Sequence, residues 1–68
     1  MQITLKVNGE VQTCPMKTPL PQFLKQLGLN LSLVVVEYNR DILHRQYWEK
    51  TTLQDGDVLE IVTIVGGG

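Results

Sequence analysis

The chain ends Ile64-Val65-Gly66-Gly67-Gly68, an apolar stretch that runs without a cap into three glycines. Glycine has no Cβ, so such a tail is slender, and three extended residues reach about 10 Å, enough to enter a narrow channel. The reactive group it delivers is the α-carboxylate of Gly68, which is ordinarily ionised and a poor electrophile. ATP-dependent adenylation makes such a carboxylate reactive, after which a sulfur nucleophile can displace AMP and leave a thioester or thiocarboxylate. Neither step needs a catalytic side chain on this polypeptide. The reading therefore makes it a macromolecular substrate, with nucleotide and catalytic groups held by a partner. The bland alternative for terminal glycines is a frayed end.

Other chemistry-bearing residues have less to offer. Cys14 falls at the end of a predicted strand with no histidine or basic cluster near it in sequence to activate the thiol, which points to a structural role. His44 lacks a second ligand at metal spacing. Asp55-Gly56-Asp57 is too short for a calcium loop and reads as a turn. Tyr38, Tyr47 and Trp48 are candidates for either packing or an aromatic docking patch. No phosphate-cradling glycine loop, nucleophile elbow or carboxylate pair is present, so an enzyme reading has no residues to rest on.

The elements that must present the tail follow from periodicity. Met1, Ile3, Leu5 and Val7 alternate with polar residues, Asn8-Gly9 favours a type I′ turn, and Glu10–Cys14 returns as a second strand. Thr18-Pro19 predicts a helix start, with Thr18 as cap and proline in the first position. Leu20, Phe23, Leu24 and Leu27 then line one helical face, and Gly28 closes it as a left-handed cap. Leu33-Val34-Val35-Val36 opens an interior strand, apolar on both faces, that runs to about Asn39. Asn39-Arg40-Asp41 is a turn, Ile42-Leu43 a very short strand, and residues 44–53 a loop with one 3₁₀ turn. After the turn at Asp55-Gly56-Asp57, Val58–Val65 forms the longest, central strand.

This order describes an α+β roll: one helix across one face of a mixed four- or five-stranded sheet, occupying residues 1–65, with 66–68 as a flexible tail. The last strand is apolar on both alternating sets. One set, either Val58, Val62 and Ile64 or else Leu59 and Ile61, must therefore face a loop or a partner and is the expected docking surface, with Tyr38 as a further candidate.

Composition bounds the function. With 68 residues there is room for one domain, which buries only about 60% of its chain surface and has little volume for a deep pocket. A hydrophobic fraction of 43% argues for a folded domain rather than a disordered segment. Six Lys and Arg against seven Asp and Glu, scattered along the chain, offer no electrostatic grip on nucleic acid or an anionic membrane. No apolar run approaches the ~20 residues of a membrane span and no basic start precedes an apolar stretch. A single cysteine cannot form an internal disulfide. A cytoplasmic location is expected.

Strand, strand, helix and strands, an Asp-Gly-Asp turn before a last apolar strand, and a terminal Gly-Gly resemble the ubiquitin-like β-grasp sulfur carriers. Within these, Val35-Val36-Glu37-Tyr38-Asn39-Arg40-Asp41-Ile42, then Arg45 and Trp48, then Asp55-Gly56-Asp57-Val58-Leu59-Glu60-Ile61-Val62 and Gly66-Gly67-Gly68 are similar to the ThiS family of thiamin biosynthesis. The tail and turn are shared with the MoaD carriers of molybdopterin synthesis. The short length, the Glu-x-Asn segment and the lack of proline before the tail favour ThiS.

The resemblance implies a cycle. A ThiF-like adenylyltransferase consumes ATP to activate Gly68, a cysteine-derived persulfide supplies sulfur, and the thiocarboxylate donates it to thiazole synthase, ThiG. Gly67 and Gly68 match the family's terminal pair, and Gly66 adds a third glycine to the part that enters a partner's active site. No cofactor bound by the chain itself is expected. A MoaD-like acceptor, a non-reactive β-grasp interaction module and ubiquitin-like ligation to lysines remain as alternatives.

Overall fold

Alternation builds the first hairpin. Strand β1, Gln2–Val7, buries Ile3, Leu5 and Val7 and exposes the residues between them, and β2, Glu10–Pro15, pairs with it antiparallel from Val7 opposite Glu10 to Gln2 opposite Pro15. Asn8 and Gly9 take φ of 52° and 83°, the left-handed geometry that a two-residue turn between right-twisted strands demands. Met1 is outside the buried alternation and fully exposed. The computed structural model describes residues 1–64. Val65 and Gly66–68 lie outside the described residues, and with them the expected boundary between body and tail.

Helix α1, Leu20–Gln26, buries Leu20, Phe23 and Leu24 against the sheet. Its start differs from expectation: Pro19, not Thr18, is the cap residue, with extended backbone and no side-chain cap bond. The reason is tertiary. Pro19 forms a bridge with Thr52, flanked by Leu20 N–H donating to Thr51 O and Leu53 N–H donating to Thr18 O, so Thr18 and Pro19 stay outside the helix as a short splint to the 51–53 segment. Thr18, freed from capping, is buried and donates its hydroxyl to Pro15 O at 2.6 Å. The helix end is as expected. Gly28 at φ 80° donates to Lys25 O, and Leu29 N–H reaches back to Leu24 O, the paired bonds of a Schellman motif.

A 3₁₀ turn at Leu31–Leu33 leads into β3, Val34–Tyr38. Leu33 is thus outside the strand and exposed, and Val35 is exposed as well, so this run is buried on one face where two were expected. Asn39 and Arg40, both at positive φ, turn the chain into the two-residue strand β4, Asp41–Ile42. Residues Arg45–Lys50 form a six-residue 3₁₀ helix, longer than the single turn expected. It is fixed by Trp48, buried with its indole N–H donating to Leu43 O at 2.9 Å, and by Arg45. The Arg45 guanidinium lies 4.5 Å from the Trp48 ring centre and donates to the carbonyls of Leu31 and Val34.

Strand β5, Val58–Thr63, completes a five-stranded mixed sheet in the order β2-β1-β5-β3-β4. It lies in the middle, parallel to β1 and antiparallel to β3. The buried side chains of the sheet, α1, Trp48 and Leu53 form one core on one side of it.

Candidate functional site

The site is the central strand and what holds it, because β5 is the element that leads to the glycines. Its pairing with β1 covers only Lys6 opposite Val58 and Val7 opposite Leu59. Asn8 extends that ladder with its side chain: its Oδ1 accepts from Ile61 N–H at 2.7 Å and its Nδ2–H donates to Ile61 O at 3.1 Å, doing what a further peptide unit would do. On the other side the five pairs with β3 run from Tyr38 opposite Leu59 to Val34 opposite Thr63, and Ile64 N–H donates to Leu33 O at 2.6 Å. The strand is therefore braced to the last residue before Val65.

The start of β5 is anchored by a polar knot. Asp57 is buried, and its carboxylate accepts from the Tyr38 hydroxyl at 2.5 Å, from Asn39 Nδ2 at 3.1 Å and from the Gln54 amide at 2.7 Å. Asn39 also takes the Val58 N–H on its Oδ1 at 2.8 Å and gives its own amide to Val58 O. Asp55 Oδ1 accepts from Thr4 N–H at 2.8 Å. Burial, reinforced by the hydrogen bond to Asp57 and by that carboxylate's charge, pushes the Tyr38 phenol up to about 12. The Asp-Gly-Asp segment is a turn, as expected, but one whose second aspartate ties three elements together.

The pleat register decides which alternating set of β5 faces outward. Leu59 and Ile61 are buried in the core, at 0% and 8% exposure, and so are corrected out of the docking surface. Val58, Val62 and Ile64 are exposed at 41%, 62% and 52%. Tyr38 is also corrected. It packs partly against the core and commits its hydroxyl to Asp57, in step with Val34 and Val36 rather than with Val35 on the open face. Trp48 is a core residue, Tyr47 and His44 are exposed, and Cys14 is a buried free thiol. Gly66, Gly67 and Gly68 lie outside the described residues.

Sequence reasoning missed the roles of Asn8, Asn39 and Asp57. Their positions in turns were legible from Asn-Gly, Asn-Arg-Asp and Asp-Gly-Asp, but the long-range partners of their side chains were not. Among the described residues no three His, Cys, Asp or Glu side chains are placed to hold a metal ion, and no helix is long and apolar enough to cross a membrane. Two open hollows of about 330 and 220 Å³ flank the sheet, one against Thr4, Lys6, Val11 and Val58, the other against Val35, Ile42, His44 and Trp48.

A mixed sheet of this order with one helix across it is the β-grasp of ubiquitin-like domains. Residues 5–68 match the model of the ThiS family, and the chain belongs to that family. It is 37% identical over 49 residues to the sulfur carrier protein ThiS of Bacillus subtilis, spanning 72% of this chain and 74% of that one. It is 34% identical over 64 residues to a thiazole synthase of Paramagnetospirillum magneticum, spanning 94% of this chain but only 20% of that larger protein. Among solved structures, the crystal structure of the thiamine biosynthesis protein ThiS from Geobacter metallireducens superposes with a TM-score of 0.83 at 32% identity, covering 97% of this chain and all of that one.

Proposed function

We propose that the chain is a sulfur carrier for thiazole formation in thiamin biosynthesis, with the Gly68 carboxylate as its working group. The observation that carries the reading is the central strand of a ThiS-family β-grasp domain followed in sequence by Ile64-Val65-Gly66-Gly67-Gly68. A Gly68 carboxylate oxygen attacks the α-phosphorus of ATP on a ThiF-like adenylyltransferase, and pyrophosphate leaves. The outer sulfur of a cysteine-derived persulfide then attacks the acyl carbon and expels AMP, giving an acyl disulfide. A further thiol takes the inner sulfur as a mixed disulfide, and the thiocarboxylate is released on the carrier.

Thiazole synthase, ThiG, is the acceptor. Support for it comes from the thiazole synthases of Paramagnetospirillum magneticum and Magnetococcus marinus, each with a segment similar to this chain in the same polypeptide. ATP belongs to the activating partner, and the carrier itself binds no cofactor. Tethering the sulfur avoids free sulfide and lets a folded surface choose the acceptor, which three glycines cannot do. The open face around Val58, Val62 and Ile64 is that surface.

Intact mass spectrometry tests the reading after incubation with the adenylyltransferase, ATP and a persulfide donor. One terminal oxygen is expected to be replaced by sulfur, and the same chain with an alanine added after Gly68 is expected to show no transfer to thiazole synthase. An unchanged mass, or transfer that tolerates the extra residue, overturns it.

A further inference from the structure

Strand register sets out the open face in rows. Glu60 of β5 stands directly opposite Glu37 of β3, and Glu37 directly opposite Ile42 of β4. Val62 opposite Val35 forms the next row toward the C-terminal end of β5, and Val58 lies two residues before Glu60 on the same face. All six are exposed. Two carboxylates thus face each other at a separation of about 5 Å between Cβ atoms, inside an apolar frame, and like charges so placed cost stability. Lys6, paired with Val58, is on the β1 side of β5 and does not stand between them. Opposed like charges are unfavourable in the free domain, and the valines beside them are apolar area that folding leaves uncovered.

A partner that covers the valines must also dehydrate Glu37 and Glu60, and burying two like charges without a counter-ion is prohibitive. The covering surface therefore has to bring a cation. Residues 65–68 span at most about 14 Å, so whatever receives Gly68 must stand within that reach of Ile64, which follows Val62 on this face. A site that holds ATP and an ionised carboxylate is itself positively charged, and an acidic carrier face is steered to it. Resting on the sulfur-carrier reading, we propose that the adenylyltransferase docks on this face with an arginine or lysine seated between Glu37 and Glu60 and apolar side chains over Val35, Val58 and Val62.

The test is the doubly neutral variant Glu37→Gln/Glu60→Gln, with two readouts. The thermal midpoint of the free carrier is expected to rise by about 1–5 °C as the repulsion is removed. The KM for the carrier in ATP–pyrophosphate exchange by the adenylyltransferase from the same genome is expected to rise about tenfold or more. A purely structural pair would lower the midpoint, and an incidental one would leave KM unchanged; either result overturns the proposal. Absence of carrier-dependent exchange with the unaltered chain would instead overturn the sulfur-carrier reading and this inference with it, so the two failures are distinguishable.

Discussion

Val58 and Leu59 are adjacent in sequence and opposite in environment, and the contrast extends over the whole sheet. On the helix side Leu59 and Ile61 join Leu5, Val36, Leu24 and Trp48 in one core. On the other side Val35, Ile42, Val58 and Val62 are exposed, and Glu37 opposes Glu60. Hydrophobic burial, with the polar knot at Asp57, accounts for the first face. It accounts for nothing on the second, where apolar area stays in water and a like-charged pair is tolerated. Folding therefore explains one face, and on the proposed reading contact with partners explains the other, so substitutions on the two should separate stability from transfer.

The helix side should give the largest effect. Leu59→Ala removes a fully buried side chain from the central strand and is expected to cost about 2–5 kcal/mol, a large part of the roughly 5–15 kcal/mol that holds a small domain together. Urea denaturation measures it, and a loss below 1 kcal/mol on the order of a surface change would break the contrast. Asp57→Ala comes next. It leaves the Tyr38 hydroxyl, the Gln54 amide and Asn39 Nδ2 without their acceptor, at an expected cost of about 1–3 kcal/mol by the same measurement.

These two residues also mark what a sequence can disclose. Leu59 was legible as apolar, and the period-2 pattern of β5 narrowed the buried set to two choices, but the choice between them needed the register with β1 and β3. A shift of one residue would have reversed it. The helix face, the turns at Asn8-Gly9, Asn39-Arg40 and Asp55-Gly56 and the central place of β5 were legible because each rests on local periodicity or turn chemistry. The helix start was not: Pro19 is held extended by Thr52, thirty-three residues on, and no local pattern at Thr18-Pro19 records that bridge. Asp57 and the two turn asparagines escaped for the same reason. Their types predicted turns, while their partners, such as Ile61 for Asn8, are set by how distant segments meet.

Tyr38→Phe sharpens the account of the knot at smaller cost, about 1 kcal/mol at neutral pH. Its pH dependence is more telling. Folding raises the phenol from its ordinary 10.0 to about 12, so the folded state holds its proton where the unfolded state has lost it. The contribution is complete below pH 10 and disappears as pH climbs through 12. Thermal midpoints taken across that interval should fall more steeply for the unaltered protein than for Tyr38→Phe, and parallel slopes would remove Asp57 and burial as the cause.

Val62→Thr should have the smallest effect on stability and so tests the open face most cleanly. Threonine keeps the β-branched shape that suits a strand and replaces one exposed methyl with a hydroxyl, so the unfolding free energy should change by no more than about 0.5 kcal/mol. Val62 is 62% exposed and stands opposite Val35, at the end of β5 nearest the glycines. A partner that takes up Gly68 would cover it, and a buried hydroxyl without an acceptor costs about 1–3 kcal/mol. The expected result is an unfolding curve that overlays the unaltered protein and a KM in carrier-dependent pyrophosphate exchange raised about fivefold or more, since about 1.4 kcal/mol is a factor of ten. Equal exchange kinetics with equal stability would place the contact surface elsewhere. A clear loss of stability would show that Val62 serves the fold after all, and the division between the two faces of the sheet would no longer hold.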